Sequence, residues 1–308
     1  MTAGARPRWL DSPPVLMVLA SLLFALMGVC VKFASERYSA GEIVLYRGSL
    51  GALLMAAAAW AHGSTLRTPV AGMHFWRSLT GVAALCLWFY SIGELPLATA
   101  VTLNYMSSVW MALFLVGGAI ALGGARVDWR LVATILAGFA GVAMVLRPAI
   151  EREQFWGGLA GLMSGVLAAL AYLQVTALGR AGEPEVRVVF YFSTGGVVAG
   201  ALLAPLTGGL HGHDTAGIAL LVAVGVLATV AQWMMTRAYG GGPTLVNASL
   251  QYTGIGWSFV FGVLWFDDPV TPLALAGMAL IAAAGITATR LSRAAGGPAG
   301  AHSGVVES

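Results

Sequence analysis

Long apolar stretches follow one another along almost the whole chain, and they limit its possible folds more than any other feature. A helix needs about 20 apolar residues to cross a membrane. Ten segments reach this length, at approximately 13–34, 40–61, 72–93, 97–120, 127–146, 156–179, 185–206, 215–239, 243–265 and 270–291. The expected fold class is therefore all-α integral membrane, with ten transmembrane helices.

The composition agrees with a protein embedded in a lipid bilayer. Hydrophobic residues make up 58% of the chain and charged residues 9%, whereas a soluble domain has about 25% charged residues. The basic residues form no block, so no nucleic-acid partner is expected. Cys30 and Cys86 lie in apolar segments and are interpreted as small apolar fillers rather than a disulfide. The first apolar run lacks a convincing cleavage site and is interpreted as a retained helix.

The basic residues also predict the orientation, because cytoplasmic loops carry an excess of Lys and Arg. With the N-terminus inside, eleven basic residues fall on the cytoplasmic side and four outside. The eleven are Arg6, Arg8, Arg67, Arg77, Arg126, Arg130, Arg180, Arg187, Arg237, Arg290 and Arg293, and the four are Lys32, Arg37, Arg147 and Arg152. Both termini are thus expected in the bacterial cytoplasm, with 1–11 as an N-terminal segment and 294–308 as a disordered tail.

A polar motif occurs twice in the chain. Leu103–Trp110 reads LNYMSSVW, and 147 residues later Leu250–Trp257 reads LQYTGIGW, so leucine, a carboxamide, tyrosine and tryptophan recur in the same order. The end of each half is also echoed, at an offset of 144, by Leu136, Ala140, Gly141 and Val142 against Leu280, Ala284, Gly285 and Ile286. Five helices is an odd number, so two such halves must insert in opposite directions. The sequence predicts two inverted repeats, at 12–148 and 149–293, with a substrate site between them near the midplane.

At this point the chain resembles the drug/metabolite transporter superfamily, in particular its EamA-type members. The resemblance covers about Ser12 to Arg293 and rests on Phe24–Met27 through Lys32, Glu42 through Arg47, Tyr90 through Ala98, Ala100 to Tyr105, and the repeat endings at Gly141 and Gly285. It implies ten helices in two repeats and a small organic metabolite as substrate. It specifies the substrate poorly.

Arg47 is the one charged side chain that the sequence places well inside a predicted span. It lies about 9 Å below the outer end of its helix, where a charge normally faces a cavity or a partner. One interpretation is a guanidinium that clamps a carboxylate or phosphate of the substrate. The other is structural, with Arg47 tying helix ends together or pairing with Glu42.

The duplicated motif supplies the other main candidates for the binding site. Asn104 and Gln251 are interpreted either as substrate ligands or as hydrogen-bonding contacts between helices. Four aromatic residues could form a stacking wall for a planar substrate or could mark the membrane interface: Tyr105, Trp110, Tyr252 and Trp257. The lesser candidates, for which packing is the favoured interpretation, are Tyr90, Tyr172, Gln174, Gln232 and Trp233.

Residues near the outer end suggest two further roles. Lys32 and Glu42 could pair and act as an outer gate, although a lysine that extends to the interface is the favoured interpretation. His211 and His213 are close enough to bind a metal, but two loop histidines are usually solvated, and we expect no metal. The spacings Gly157, Gly161, Gly165 and Gly196, Gly200 predict close helix packing.

The sequence contains no catalytic constellation inside its spans and no phosphate-binding loop, so neither an enzyme nor a cofactor is expected. We expect a secondary transporter, monomeric or homodimeric, that moves an amino-acid-like, carboxylate-bearing or planar-ring metabolite by alternating access. Without an acid deep in the spans, strict proton antiport through a membrane-embedded carboxylate is not expected, and Glu42 at the outer end is the only exception considered. The alternatives are a membrane scaffold or receptor without transport, and an exporter of drug-like compounds.

Overall fold

The computed structural model describes residues 12–95, 97–121, 129–146, 155–267 and 271–295, and all regular structure within these ranges is helical. The helices are α1 (Pro13–Ala34), α2 (Ala40–Ala61), α3 (Ala71–Glu94), α4 (Leu97–Tyr105), α5 (Ser107–Ala121), α6 (Trp129–Leu146), α7 (Phe155–Arg180), α8 (Glu185–Leu203), α9 (Thr215–Gly241), α10 (Thr244–Leu250), α11 (Thr253–Phe266) and α12 (Pro272–Ala295). The predicted segment 1–11 lies outside the described residues. So does the predicted tail, except that Ala294 and Ala295 still belong to α12.

Six helical stretches in the described part of the chain are long and apolar enough to cross a membrane. They are Pro13–Ala34, Ala40–Ala61, Leu97–Phe114, Phe155–Arg180, Glu185–Thr207 and Thr215–Gly241. The chain is thus an all-α, multi-pass membrane protein.

Polar caps precede two of these helices, which begin at the predicted positions, Ala40 and Thr215. Ser39 precedes α2, and its hydroxyl accepts a hydrogen bond from the backbone N–H of Glu42 at 3.3 Å. Asp214 does the same for α9, accepting from Gly217 at 2.7 Å. Each cap satisfies an N–H group that lacks a partner inside the helix, which fixes where the helix starts.

The two copies of the duplicated motif each interrupt a helix. The sequence predicts one continuous helix over 97–120 and another over 243–265, but α4 gives way to α5 at Met106, and α10 to α11 at Gln251 and Tyr252. At the second site the backbone tightens from i−4 to i−3 hydrogen bonds, as from Gly254 to Gln251 at 2.9 Å. The Thr253 hydroxyl donates a hydrogen bond to the Leu250 carbonyl at 2.7 Å, and such side-chain hydrogen bonds compete with the backbone hydrogen bonds of a helix. Tight turns inside a helix often mark a hinge.

Four helix pairs form the most extensive interfaces: α2 with α8, α3 with α7, α1 with α9, and α6 with α12. Glycine brings α2 and α8 into backbone contact. A Cβ atom added to Gly48 would lie 2.7 Å from the Val197 nitrogen, and one added to Gly200 would lie 2.5 Å from the Leu45 nitrogen. Small residues let helices in a membrane approach this closely.

The glycine spacing on α7 has the predicted packing role. A Cβ atom added to Gly157 would lie 2.8 Å from the Cβ atom of Glu94, and one added to Gly165 would lie 2.6 Å from the Leu103 carbonyl oxygen. Gly161 likewise faces Ser91, so the three glycines seat α7 against α3 and α4. The prediction of close packing is confirmed for this helix.

The α2–α8 crossing offers a matched pair of substitutions. Gly48→Ala forces a methyl group against backbone atoms of α8, which should lower stability by about 1–3 kcal/mol and the unfolding temperature by several degrees. Gly196→Ala adds the same methyl group in the same interface, but its nearest neighbour is the Gly48 Cα at 3.6 Å, an ordinary contact. Thermal unfolding of both purified variants in one detergent measures the difference. Equal stability of the two variants would contradict the close crossing.

Candidate functional site

A small cavity of about 50 Å³ lies inside the bundle, where helices from both halves of the chain meet. Its lining comes from α1, α2, α3, α4, α7, α8 and α9: Phe24, Arg47, Arg77, Gly81, Ala84, Leu85, Trp88, Asn104, Tyr105, Ala168, Ala171, Tyr172, Phe192 and Gln232. Five of these are residues that the sequence singles out: Arg47, Asn104, Tyr105, Tyr172 and Gln232. The cavity combines aromatic walls with a few polar groups, as ligand sites commonly do, but its volume is that of a few water molecules.

Two arginines dominate the electrostatics of this cavity. Arg47 on α2 is 4% exposed and Arg77 on α3 is 2% exposed. Both guanidinium groups lie against the ring of Phe192, with their Cζ atoms 5.1 and 4.2 Å from its centroid. A cation near an aromatic ring is stabilised by the ring's quadrupole, and more so away from water.

Arg77 corrects one expectation. The sequence predicts Arg47 as the one charged side chain well inside a span, and this is wrong, because Arg77 is buried in α3 as well. Its place on the cytoplasmic side stays a prediction. Arg77 is the seventh residue of α3, about 9 Å from its start, which is close to the depth of Arg47 in α2. The distance of a basic residue from the nearest helix end therefore does not tell whether its side chain is exposed near the loop or faces the cavity. Gly81, one turn further along, leaves the space that the Arg77 guanidinium occupies.

Every buried side-chain atom around this cavity that lacks a hydrogen-bond partner is a donor. These atoms are Arg47 Nε, Arg77 Nε and Nη1, Trp88 Nε1 and Gln232 Nε2. No carboxylate is among the described residues that line the cavity. A buried donor without an acceptor is unfavourable, and a buried charge without a partner costs several kcal/mol. The cavity therefore favours a ligand that supplies acceptor atoms and negative charge.

The first copy of the duplicated motif reaches the cavity directly. Asn104 is 4% exposed, and its amide donates to the Ser164 hydroxyl at 3.0 Å. Ser164 in turn donates to the Gly161 carbonyl at 2.6 Å. Tyr105 is buried beside it and contacts the position that a Cβ atom of Gly254 would occupy.

The second copy lies one layer behind the cavity. The carboxamide oxygen of Gln251 accepts from Tyr239 at 3.0 Å, and Tyr239 stacks on the cavity residue Tyr172 with ring centroids 5.3 Å apart. The two copies also touch, because a Cβ atom added to Gly254 would lie 2.9 Å from the Tyr105 ring. Gln251 thus supports the aromatic wall of the cavity without lining it.

The remaining candidates lie away from the cavity. Tyr252 is buried against Gly138 of α6, and Trp110 packs in an apolar cluster with α7 and α10. Gln174 accepts from Thr80 at 3.1 Å. Three aromatic residues lie further out: Tyr90 (41% exposed), Trp257 (36% exposed) and Trp233, which packs against Arg237. Exposed aromatic rings on membrane helices commonly face lipid or the interface.

Comparison with known proteins agrees with the resemblance seen in the sequence. Residues 12–147 match the model of the EamA-like transporter family. A pseudopaline exporter of Pseudomonas aeruginosa is 31% identical over 289 residues, which cover 92% of this chain and 98% of the exporter. The chain belongs to the EamA-like transporter family. This EamA-like protein is therefore a membrane transporter for a small metabolite and not an enzyme.

Other relatives have similar extent. An uncharacterised transporter of Helicobacter pylori is 24% identical over 88% of this chain and 92% of its own length. A riboflavin transporter of Rhizobium johnstonii is 26% identical over 88% of each chain. One crystal structure superposes with a TM-score of 0.76 at 22% identity, covering 91% of this chain and 99% of the other. The fold is thus shared with that structure over nearly the full length.

A hydrogen-bonded group lies at one end of this EamA-like bundle, where α2 and α9 begin. Glu42 is 0% exposed, and its carboxylate accepts a hydrogen bond from the backbone N–H of His211 at 3.1 Å. The same carboxylate lies 2.8 Å from Nδ1 of the His211 ring. His213 contacts the Tyr46 hydroxyl at 2.7 Å. We name the Glu42–His211 contact the α2 latch. The histidines thus hold the 208–214 loop to α2.

Lys32 has contacts of its own rather than the suggested gate pairing with Glu42. Its amino group donates to the carbonyl oxygens of Ile92 at 2.9 Å and Leu95 at 2.7 Å. These carbonyls end α3, and a cation there satisfies acceptors that the helix leaves without partners.

A second carboxylate–histidine contact lies at the opposite end, where α3 begins and α7 meets α8. Glu183 is 8% exposed and its carboxylate contacts His74 at 2.8 Å and Arg187 at 2.9 Å. We name the Glu183–His74 contact the α3 latch. Burial opposes ionisation of Glu183, but the hydrogen bond from His74 and the charge of Arg187 outweigh it and hold its pKa below the ordinary 4.5.

The lowered pKa of Glu183 predicts a pH-dependent loss of stability. A group with a depressed folded-state pKa stabilises the fold fully above its ordinary pKa of 4.5, and this contribution disappears as the pH falls through the lower, folded-state value. Glu183→Gln should therefore unfold at a temperature a few degrees below that of the parent at pH 7, and the gap should narrow as the pH falls below about 4.5. Thermal unfolding across a pH series measures the gap.

Glu185→Gln serves as the control for this experiment. Its carboxylate is partly exposed and lies 3.8 Å from Arg237, so its removal should change the unfolding temperature little at any pH. The difference in unfolding temperature between Glu183→Gln and the parent would contradict the prediction if it stayed constant down to pH 3, or if it equalled the difference for Glu185→Gln. Either result would show that the α3 latch does not depend on the ionised carboxylate.

Proposed function

We propose that this chain is a secondary transporter of a bacterial inner membrane that carries a small organic metabolite by alternating access around the central cavity. The observation that carries the proposal is the buried cavity itself, in which cationic and aromatic groups from both halves of the chain converge. A non-transporting scaffold would have no use for unpartnered buried donors at its centre. The named relatives, an exporter and a riboflavin transporter, support a metabolite as the substrate.

We further propose ten membrane spans in two inverted repeats, with α4 and α5 as one span and α10 and α11 as another. The packing supports this arrangement. A two-fold axis that relates the halves would exchange α2 with α8 and α6 with α12, so each of these pairs would pack across the axis. It would also exchange α1 with α7 and α3 with α9, so the α3–α7 interface would be equivalent to the α1–α9 interface. The four most extensive interfaces obey this relation. The unit boundaries would lie at 12–148 and 149–293.

In this proposal Asn104, Tyr105, Tyr172 and Gln232 contact the substrate, and Gln251 holds the wall behind them. The α2 and α3 latches lie at opposite ends of α2, because α2 crosses the bundle between them. One latch would open at a time to admit or release the substrate. The excess of basic residues supports a cytoplasmic α3 latch and cytoplasmic termini. A monomer or a homodimer would suffice, since the cavity is complete in one chain.

The orientation can be tested with single cysteines. In a variant without Cys30 and Cys86, Gly212→Cys places a thiol where no atom lies within 4 Å, and Ser64→Cys places one on the exposed loop before α3. A membrane-impermeant maleimide added to intact spheroplasts should label Cys at position 212 and leave position 64 unlabelled until the cells are lysed. The reverse pattern would overturn the proposed orientation, and labelling of both from outside would overturn the span count.

The role of Asn104 can be tested by transport. Asn104→Leu should leave the fold intact, because Ser164 keeps its hydrogen bond to Gly161, but it removes a polar group from the cavity. Untargeted mass spectrometry of cells and medium compares a bacterial host expressing the parent with one expressing the variant. We expect the parent to redistribute at least one metabolite several-fold and the variant to lose that effect.

Trp257→Leu is the control, because this side chain is 36% exposed and lies outside the cavity. It should transport like the parent. If Asn104→Leu is expressed at the parental level and redistributes the same metabolite equally well, Asn104 is a packing residue and the proposed site is wrong.

A further inference from the structure

Arg47 and Arg77 differ from the other basic side chains whose contacts the structure describes. Arg187 contacts the Glu183 carboxylate and the Thr65 carbonyl, and Arg37 pairs with Asp214. Arg47 and Arg77 are more deeply buried than these, yet Nε of both and Nη1 of Arg77 have no acceptor. Neither forms an ion pair with a carboxylate in the described ranges. Two structural arginines would be expected to have such partners.

The position of Arg77 is a second observation in favour of a ligand. At about 9 Å from the start of α3, its long side chain could extend toward the membrane surface and keep its charge in water. Instead it folds over Gly81, where any Cβ atom would collide with Nη1, and faces the cavity. The chain thus places this charge in the interior although a route to the surface is short.

The two charges are close enough to act on one molecule. Their Cζ atoms lie 5.1 and 4.2 Å from the Phe192 centroid, so they are at most about 9.3 Å apart, which is the sum of those distances. Each guanidinium presents a planar fork that matches one carboxylate. The other orphan groups around the cavity, Trp88 Nε1 and Gln232 Nε2, are donors as well.

We propose that Arg47 and Arg77 form a clamp for an organic anion with two carboxylate groups, one held by each guanidinium, and that the Phe192 ring contacts both guanidinium groups. The inference rests on the proposed transport function and assigns the substrate class of that site. Two positive charges and a lining without carboxylates exclude organic cations from the same position. A molecule with one carboxylate leaves one guanidinium without a partner and binds more weakly.

The substrate class is tested by thermal unfolding of the purified protein with defined probes. The probes are the dicarboxylates malonate, succinate, glutarate and adipate, the monocarboxylate butyrate, the diamine 1,4-diaminobutane, and inorganic phosphate. A ligand of the folded state raises the unfolding temperature in proportion to the logarithm of its concentration above Kd. At least one dicarboxylate should stabilise the protein with an apparent Kd about tenfold or more below that of butyrate, and the diamine should have no effect.

Variants then separate the clamp from general charge. Arg47→Gln and Arg77→Gln should each weaken the dicarboxylate about tenfold or more and remove its advantage over butyrate, because one fork remains. Arg77→Lys should restore only part of the affinity, since lysine keeps the charge but loses the fork. Gly81→Ala displaces the Arg77 guanidinium without changing the charge and should act like Arg77→Gln. Arg67→Gln, on the exposed loop before α3 and outside the cavity, should leave the dicarboxylate preference unchanged.

The outcomes are decisive even if a glutamine variant fails to fold, because Arg77→Lys and Gly81→Ala keep the test open. No stabilisation by any dicarboxylate at millimolar concentration, an equal effect of phosphate, or an unchanged preference in Gly81→Ala would overturn the clamp. Loss of the clamp alone would leave the Asn104-dependent transport standing. Conversely, dicarboxylate binding by a parent protein that redistributes no metabolite would retain the clamp and overturn the transport proposal.

Discussion

Close backbone contact between helices holds this bundle together, because apolar side chains gain little by exchanging lipid for another apolar surface. The same contact sets the geometry of the cavity. At Gly48, α2 lies so close to α8 that an added Cβ atom would be 2.8 Å from the Ser193 carbonyl oxygen. Arg47 precedes Gly48 in the chain, and Phe192 precedes Ser193. The crossing that joins the two backbones therefore also fixes the guanidinium against the aromatic ring. A site held in this way is positioned by rigid helices rather than by loops.

Charge is the second consequence of this arrangement. Two guanidinium groups near one ring repel each other and have lost most of their water, so a closed and unloaded cavity is unfavourable. A dianion of the proposed class would remove both penalties at once. Its binding would then favour the closed bundle over one open to water, in proportion to the difference in its affinity for the two states. The clamp would couple closure to loading without any group that changes its protonation.

The sequence predicts the helices and part of the site, but it cannot give the rotation of each helix. Length and apolarity locate α1, α2, α7 and α9 to within two residues, and the polar motif identifies Asn104 and Tyr105. Trp88 and Phe192 carry no such signal, because nearly every position on these helices is apolar and an aromatic residue facing lipid looks the same as one facing the cavity. Gln251 matches Asn104 in the motif, yet the tighter turn at its own position places it behind Tyr172 and Tyr239. Local backbone changes of this kind depend on packing, which the motif does not record.

The two latches give the proposed cycle a physical requirement at each end. Glu42 and Glu183 are both buried carboxylates held by a histidine, one at each end of α2. Opening either end must break a buried, charge-assisted contact, and the released carboxylate then gains water in exchange. The net free-energy difference between an open and a closed end is therefore small compared with either the lost contact or the regained hydration alone. An equilibrium balanced in this way can be shifted by a few kcal/mol of differential binding at the centre, which is the range that one neutralised guanidinium can supply.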